Sequence, residues 1–354
     1  MKRNHWRVWT IISGLIAVLL LAGCATGAGP AAEGDASQAS TPDEETSLMI
    51  YSGRNENLVG PLIDQYREQG GTAVDVRYGG TSEMAATIME EGKNSPADVF
   101  YGQDAGALGA LAKAGRCIDL PDEIIAKVDP RFASPDKRWV GVSGRARVLV
   151  YNTDELSEDQ LPASVFDLTD EQWRGRVGWA PTNGSFQSFV TAMRAVTGED
   201  ATRAWLEGMI ANDAQVYPKN APIVEAVGRG EISVGLVNHY YLYRFLAEDP
   251  DFPAANYHFP NGDVGSMINV AGVCVLDTSD NQEQGLAFVD FLLSNQAQQY
   301  FASETNEYPL AGENIEIDPR LTPLDQIQTP DLDLSDIDDL QGTLQLLQEV
   351  GALQ

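Results

Sequence analysis

Short apolar segments alternate with amphipathic segments along most of this sequence. Residues 48–51 and 74–78 have the apolar character of short strands, and a stretch with apolar residues every three or four positions follows each, as in a helix. The same patterns predict strands at residues 98–101, 147–151, 177–179, 232–237 and 268–276, and helices at residues 186–196, 201–210, 221–227, 285–293 and 297–301. Strands that alternate with helices indicate parallel sheets covered by helices, and this many alternations favour two α/β lobes.

The two ends of the sequence depart from this pattern. Residues 1–23 combine basic residues, an apolar run and small residues, which is typical of an export signal. Residues 24–46 are rich in alanine, glycine, serine and acidic residues and predict a flexible tether. In residues 319–354 an acidic stretch precedes apolar residues at helical spacing, which predicts a C-terminal segment with a helix that docks on the body. The proposed surface is the second lobe, expected at residues 146–268.

Composition limits the possible partners. With 354 residues, of which 43% are hydrophobic, the chain can bury one large core or two medium ones. Its 52 acidic and 23 basic residues give a net charge of −29, so we expect no nucleic-acid partner. Three histidines and three cysteines are too few for a multi-histidine metal site or a disulfide scaffold. Cys117 and Cys274 are either a disulfide or two small core residues.

Residues 21–24, Leu-Ala-Gly-Cys, resemble the lipobox of bacterial lipoproteins. That resemblance implies cleavage before Cys24, which would then carry lipid and anchor the chain to the cell membrane on its periplasmic or cell-surface side. The alternative is an ordinary export signal with an incidental cysteine. Both interpretations predict an extracytoplasmic protein.

Motifs spread over the remaining chain resemble those of bacterial ABC-transporter solute-binding proteins, and more narrowly the ferric-iron-binding family. They occur in the family's order at residues 51–54, 95–101, 143–151, 219–220, 238–243 and 307–310. The resemblance implies a two-lobed, type II-like periplasmic-binding-protein clamp, in which each lobe is a mostly parallel sheet covered by helices. We expect lobe 1 at residues 47–145 and 269–318, lobe 2 at residues 146–268, and two hinge crossovers near residues 143–147 and 268–271.

Tyr240 and Tyr241 are the candidate metal ligands with the strongest support. They follow an apolar strand, and Asn238 is predicted to cap the helix that begins there. Adjacent side chains in a first helical turn lie about 100° apart and can reach one ion, whereas in a strand they would point to opposite faces. Ferric iron prefers oxygen donors, and the positive end of a helix favours a phenolate. The alternative places one tyrosine in the core and the other on the surface.

The rest of the metal site departs from the pattern that the resemblance implies. Asn55 stands where several family members have histidine, and Gln103 stands where they have glutamate. Tyrosines that other members place near Glu56 and Phe186 are absent. Asn55, Glu56 and Gln103 are therefore weaker candidate ligands from lobe 1, and Glu56 is equally well explained as an exposed residue of a first helical turn.

A small anion is predicted to complete the site. Asn183, Gly184 and Ser185 lie between a strand and a helix, where backbone N–H groups and a hydroxyl can bind carbonate or phosphate. Related proteins use this stretch together with residues that match Asn220 and Asn238. Arg145 and Arg147 are further candidates, since an arginine can bind an anion through two hydrogen bonds. The alternatives are a turn that only caps a helix and arginines that pair with surface acids.

These observations predict a monomeric, lipid-anchored receptor that binds Fe³⁺ as transported ligand, with carbonate or phosphate as a synergistic anion. It would deliver the ion to an ABC permease and catalyse no reaction. One alternative is the same clamp with a small phosphorylated or organic anion as ligand. A more distant one is an exported hydrolase that uses Ser185 with His239 or His258, although Ser185 lacks a Gly-x-Ser-x-Gly setting.

Overall fold

The computed structural model describes residues 47–70 and 72–353. The predicted export signal, the lipobox at Cys24 and the tether lie outside the described residues. Within the described residues, no helix has both the length and the apolar character needed to cross a bilayer.

Ten strands of the described chain form one continuous sheet. They are β1 (Leu48–Ser52), β2 (Val74–Tyr78), β3 (Val99–Gly102), β4 (Val140–Asn152), β5 (Val177–Trp179), β6 (Gln215–Val216), β7 (Val234–Asn238), β8 (Ala254–Tyr257), β9 (Ile268–Val275) and β10 (Tyr308–Pro309). The strand order is β2-β1-β3-β9-β4-β7-β5-β6, and β8 and β10 also pair with β4.

Helices cover this sheet. Those in the described chain are α1 (Glu56–Glu68), α2 (Thr81–Glu91), α3 (Ala105–Lys113), α4 (Asp122–Ile125), α5 (Gly184–Thr197), α6 (Glu199–Ala211), α7 (Asn220–Gly228), α8 (Tyr240–Glu248), α9 (Gln282–Leu292), α10 (Asn295–Glu304) and α11 (Leu340–Glu349). The predicted elements therefore form, with ends that differ by a few residues.

Strand β4 joins two groups of strands. Its first part, up to Ala146, pairs with β9 and β10, and its second part, from Arg147, pairs with β7 and β8. We call the group of β1, β2, β3, β9 and β10 lobe 1 and the group of β5, β6, β7 and β8 lobe 2. The change of partners falls within the crossover predicted at residues 143–147. The predicted lobe boundaries and the hinge motion stay predictions.

The α/β prediction is confirmed, and the middle of the sheet adds an unpredicted feature. The outer pairs, β1 with β2 and β3 and β5 with β6 and β7, are parallel. In contrast, β9 and β4 pair antiparallel with each other and with their neighbours. A strand that is buried on both faces is an apolar run whether it pairs parallel or antiparallel. The sequence pattern therefore could not reveal the antiparallel pairing.

Strand β4 is longer than the predicted strand at residues 147–151. All 13 of its residues are buried, including Ser143, Arg145 and Arg147. These polar residues interrupt the apolar pattern by which a buried strand is recognised. The strand thus carries charged side chains into the middle of the molecule.

The two described cysteines form a disulfide. Cys117, in the segment after α3, is bonded to Cys274 of β9, with their Cα atoms 5.8 Å apart. The structure therefore favours the disulfide over two separate core cysteines, and the bond ties the segment after α3 to the central strands of lobe 1.

The C-terminal segment contacts both lobes. Helix α11 forms where the apolar spacing predicts it and packs on α5 of lobe 2. The turn at Leu334–Asp336, only a few residues earlier, packs on α3 of lobe 1.

Candidate functional site

A cavity of about 320 Å³ opens where the two lobes meet β4. Lobe 1 contributes the ends of its strands and the start of α2, and lobe 2 contributes the start of α5. Residues that line it include Thr81, Glu83, Gln103, Asp104, Arg145, Arg147, Gly184, Ser185, Asn238 and Leu340. The cavity lies at strand ends and helix starts, and open α/β sheets commonly bind ligands at such positions.

A hydrogen-bonded network forms the lobe 2 side of this cavity. The side chain of Asn183 caps α5, because its Oδ1 accepts hydrogen bonds from the N–H and hydroxyl of Ser185 at 3.1 and 2.6 Å. Asn220 donates from Nδ2 to Asn183 Oδ1 at 3.2 Å and to Ser185 Oγ at 3.3 Å. Its Oδ1 accepts from the backbone N–H of Asn238 at 3.1 Å. The structure thus brings the predicted anion-binding residues of lobe 2 together, with Gly184 on the cavity wall.

Arg147 joins this network from β4. Its Nη1 lies 3.5 Å from Asn220 Oδ1 and 3.4 Å from Asn238 Oδ1, and its Nη2 donates to the backbone oxygen of Leu236 at 2.9 Å. Within the described residues it makes no salt bridge, although it is only 2% exposed. Burial lowers the pKa of Arg147 to about 9, against the raising influence of the Tyr240 and Tyr241 hydroxyls. The group is therefore prepared for a negative charge that the described chain does not supply.

Arg145 lies two residues earlier and also lines the cavity. It is 4% exposed, and its Nε and Nη2 have no hydrogen-bond partner within the described part of the chain. Two buried arginines with unused donors face the same region, since Arg147 Nε is also without a partner there. Buried guanidinium donors are usually hydrogen bonded, so an anion suits this position.

Tyr240 and Tyr241 begin α8, directly after the residues of the network. Their rings are stacked, with centroids 4.5 Å apart and planes at 30°, and both side chains are half-buried. The guanidinium of Arg244 lies 5.5 Å from the Tyr241 ring centroid. The pair does not contribute to the lining of the 320 Å³ cavity but adjoins it through Asn238 and Arg147. The two rings lie on the same side of the helix start and are buried to a similar degree. This arrangement differs from the alternative, in which one tyrosine is in the core and the other is on the surface.

The Tyr241 phenol holds its proton tightly in the absence of a cation. Burial raises its pKa above the ordinary value of 10, and the neighbouring Tyr240 raises it further, while Arg244 and Arg145 act in the lowering direction. A cation that binds this oxygen as phenolate must therefore displace a proton.

His239 corrects the predicted start of α8. The N-cap of α8 is His239 rather than Asn238, which is the last residue of β7 and directs its side chain to Arg147. His239 is fully buried; its Nδ1 accepts from the backbone N–H of Ala146 at 3.1 Å, and its Nε2 lies 2.8 Å from the backbone oxygen of Asn306. Asn238 does not cap the helix, because its side-chain oxygen accepts from Arg147 of the adjacent strand.

The same contacts bear on the hydrolase alternative. Both ring nitrogens of His239 are engaged with backbone groups, and the Ser185 hydroxyl donates to Asn183. Burial lowers the pKa of His258 to about 4. The geometry thus shows no serine–histidine pair among these residues.

The candidates from lobe 1 are dispersed. Asn55 caps α1 by accepting from the N–H of Asn57 at 2.9 Å and is exposed. Glu56 is exposed at the start of α1, and its Cγ lies along that helix toward Gly60. Gln103 lines the cavity, and its N–H donates to the hydroxyl of Thr81 at 3.2 Å. The structure brings Gln103 to the site, and the metal roles of Asn55, Glu56 and Gln103 stay predictions.

Sequence reasoning missed the buried ion pair of Arg54 and Glu307. Arg54 Nη2 lies 3.0 Å from both carboxylate oxygens of Glu307, and Ser143 donates to Glu307 at 2.5 Å. Although burial alone acts in the opposite direction, Arg54 and Arg145 lower the pKa of Glu307. Both residues belong to motifs that carry the family resemblance, but no periodic pattern could show that residues 253 positions apart meet.

The described residues contain no group of three or more His, Cys, Asp or Glu side chains placed to hold a metal ion. Tyrosine oxygens are a different donor set, and Tyr240 and Tyr241 supply two of them from stacked rings at the start of α8.

The fold and the cavity define a class of protein: a two-lobed α/β binding protein whose ligand site lies where the lobes join. The chain belongs to the bacterial extracellular solute-binding protein family, whose model matches residues 94–336. The predicted clamp fold and the family resemblance are confirmed by this match and by the solved structures described next.

Several relatives that cover most of the chain are named as iron-binding proteins. The Fe(3+)-binding periplasmic protein of Serratia marcescens is 31% identical over 89% of this chain and 93% of its own. The iron-bound structure of HitA from Pseudomonas aeruginosa is similar with a TM-score of 0.78 and 33% identity, over 86% of this chain and 99% of that one. A Trichodesmium protein (IdiA, FutA) in complex with iron and citrate gives a TM-score of 0.75 and 26% identity, with coverage of 86% and 99%.

Proposed function

We propose that this chain is the iron-binding component of an ABC importer, with Fe³⁺ bound by the phenolates of Tyr240 and Tyr241. The observation that carries the proposal is the stacked pair at the start of α8, beside an arginine without a carboxylate partner in the described chain. Relatives named for ferric iron support the choice of cargo.

The charges of the site suit this cargo together with an anion. Two phenolates neutralise two of the three charges of Fe³⁺, and the buried Arg147 and Arg145 add positive charge nearby. A hard trivalent cation takes further oxygen donors. A carbonate or phosphate that contacts the ion and the arginines would supply both the missing donors and the missing negative charge.

The anion fits the lobe 2 side of the cavity. The start of α5 offers the backbone N–H of Gly184 beside the Asn183–Ser185–Asn220 network. A helix start favours negative charge, and the unused donors of Arg145 point to an acceptor from outside the chain. Of the lobe 1 side chains predicted as ligands, Gln103 is the one that lines this cavity.

Release to a permease follows from the two-lobed arrangement. The strand partners change at Ala146 and Arg147, so bending there would separate the lobe 1 wall from the tyrosines and the anion site. We propose that the protein works as a monomer on the outer side of the cell membrane, anchored by lipid on Cys24, and that it binds and presents its cargo without catalysis.

The proposal is tested by iron binding in competition with citrate. Tyr240→Phe with Tyr241→Phe removes both oxygens and keeps both rings, so iron affinity should collapse while the fold persists. Tyr257→Phe is the matched control, since Tyr257 is a half-buried tyrosine of β8 outside the site.

Equal iron binding by the double variant and the control would contradict the proposal. Retention of inorganic phosphate binding by a wild-type protein that takes no iron would instead favour the alternative of the same clamp with an anionic solute.

A further inference from the structure

A short C-terminal segment crosses from one lobe to the other beside the cavity. We call residues 334–343 the strap. Its first part, the turn at Leu334–Asp336 and Ile337, packs on α3 of lobe 1, and its last part begins α11, which packs on α5 of lobe 2. Leu334 and Ile337 are buried, at 6% and 3% exposure, so the lobe 1 contact excludes water.

Two glycines of α3 let the strap backbone lie directly on that helix. A Cβ atom added at Gly106 would stand 2.3 Å from the backbone oxygen of Ile337. One added at Gly109 would stand 2.6 Å from the backbone oxygen of Ser335 and 3.0 Å from its Cα. Real Cβ atoms do not approach backbone so closely, so any side chain at either position displaces the strap.

Polar contacts hold the same part of the strap on lobe 1. The fully buried Trp139 donates from its indole N–H to Ser335 Oγ at 3.3 Å. Lys113, at the end of α3, lies 3.3 Å from Asp336 and 3.1 Å from Asp338. These exposed ion pairs are weak, so the glycine contacts and the apolar residues carry most of this anchor.

The lobe 2 anchor is built on α5. Thr343 and Thr191, both almost fully buried, share a hydroxyl–hydroxyl hydrogen bond of 2.8 Å. Arg194 donates to the backbone oxygen of Asp339 at 3.0 Å, to its carboxylate at 2.9 Å and to Thr343 Oγ1 at 3.0 Å. The strap is thus fixed on both sides by groups that a small displacement would leave unpaired.

The crossing itself is short, and the turn at Leu334–Asp336 already contacts α5 as well as α3. Asp338 pairs with Lys113 of lobe 1, and the next residue, Asp339, pairs with Arg194 of lobe 2. Leu340 follows at once and lines the same cavity as Arg145, Arg147 and Ser185. Because each residue spans at most about 3.6 Å, a connection this short cannot lengthen much. The lobes therefore cannot move far apart at α3 and α5 unless one anchor breaks.

We propose that the strap is a latch between the lobes, which limits their separation and slows the escape of the bound ligand. The cargo on which it acts rests on the proposed function, but the restraint on lobe separation does not. Between Ile337 and Leu340 the two anchors act in series, so once one of them is lost, loss of the other adds little to the separation of α3 from α5.

The test uses the full folded chain with Gly109→Ala to displace the lobe 1 anchor and Arg194→Met to cut the lobe 2 anchor. Gly60→Ala is the matched control, because the nearest atom to a Cβ at this α1 glycine is at an ordinary 3.6 Å. The readouts are the rate at which excess EDTA removes iron and the radius of gyration of the iron-free protein by small-angle X-ray scattering.

Each anchor variant should release iron about fivefold faster than Gly60→Ala, and should have a larger radius of gyration. The Gly109→Ala/Arg194→Met double variant should match the faster single variant, whereas independent stabilising contacts would multiply their effects.

Release rates and radii equal to those of the control, or effects of the two anchors that multiply, would overturn the latch. If Gly109→Ala fails to fold, Arg194→Met alone against the control decides the result. A wild-type chain that takes no iron would count against the proposed function, and the radii of the iron-free variants would still decide for or against the latch.

Discussion

Two buried arginines near the site differ in whether a carboxylate neutralises their charge. Arg54 of lobe 1 faces the carboxylate of Glu307, which raises the pKa of the guanidinium despite its burial. Arg147, where β4 enters lobe 2, has two tyrosine hydroxyls and asparagine oxygens around it, and burial lowers its pKa to about 9. One positive charge is neutralised within the chain, and the other is left for a ligand.

The difference indicates which lobe selects the cargo. Lobe 1 buries Arg54 in a pair with Glu307, and its cavity wall carries Gln103 beside the carboxylates of Glu83 and Asp104. Lobe 2 offers paired phenols, a helix start and uncompensated positive charge. We therefore expect variants on the two sides to differ in kind: loss of ligand binding on lobe 2 and loss of stability on lobe 1.

The largest effect is expected from the tyrosine pair. Tyr240→Phe with Tyr241→Phe removes the proposed ligands themselves, so iron affinity should fall by more than the roughly hundredfold that loss of a supporting residue costs. The measurement is competitive titration against citrate. Glu56→Gln, on the exposed start of α1, should change the affinity by less than about threefold, within the range of a surface charge.

A large effect of Glu56→Gln would break the comparison between the lobes, because it would show that lobe 1 supplies an anionic ligand after all.

The next effect concerns stability. Glu307→Gln leaves Arg54 buried without its carboxylate and should lower the free energy of unfolding by about 3–5 kcal/mol, as measured by urea denaturation. Because the folded pKa of Glu307 is lowered, its contribution is present above the ordinary pKa and is lost as the pH falls through the folded value. Arg54→Met with Glu307→Leu should regain much of the loss, since it removes both charges together.

If Glu307→Gln leaves the free energy of unfolding unchanged, the carboxylate of Glu307 does not stabilise the buried charge of Arg54.

A smaller effect is expected at Arg147. Arg147→Met should weaken iron binding by about 10- to 100-fold, because it removes the charge proposed to hold the anion and to support the phenolates. Arg147→Lys keeps the charge but not the paired donors, so it should restore only part of the affinity. Titrations with and without added bicarbonate measure both effects. If Arg147→Met binds iron as tightly as wild type, the uncompensated charge has no role in cargo binding.

The smallest effect is a pH dependence set by His239. Burial lowers its pKa to about 3 in the folded protein, against an ordinary value of 6.5. Between these values the unfolded chain binds a proton that the folded chain refuses, so stability falls as the pH falls from about 6.5 towards 3. The slope contributed by this one residue approaches about 1.4 kcal/mol per pH unit.

His239→Gln should make the unfolding free energy less sensitive to pH in this range, when denaturation curves at several pH values are compared. His258, whose pKa is lowered to about 4, retains a dependence of the same sign. Identical pH profiles for the variant and the wild type would contradict the assignment of this dependence to His239.

The sequence predicted those parts of the fold that local pattern controls. The apolar runs and helical spacings located the strands and helices, and the position of Asn183 between a strand and a helix predicted its place at the start of α5. The antiparallel centre escaped prediction because a strand buried on both faces looks the same in either direction.

Local pattern predicted the site only where its residues are neighbours in sequence, and the family resemblance added the more distant Asn220 and Asn238. Tyr240 and Tyr241, or Asn183 and Ser185, come together through one helical turn. The Arg54–Glu307 pair, the strap contacts of Gly109 and the buried setting of Arg145 depend on long-range folding that leaves no local pattern. Asn238 shows that a local pattern can also mislead. Asparagine is a good capping residue, but here its side chain contacts Arg147 of the adjacent strand instead of capping α8.

The most direct test of the central claim is anomalous diffraction at the iron edge from crystals of the iron-loaded protein. The account predicts a single anomalous peak within bonding distance of both the Tyr240 and Tyr241 hydroxyl oxygens, on the side that faces Arg147. A peak elsewhere, or one bonded to side chains of lobe 1 alone, would contradict it.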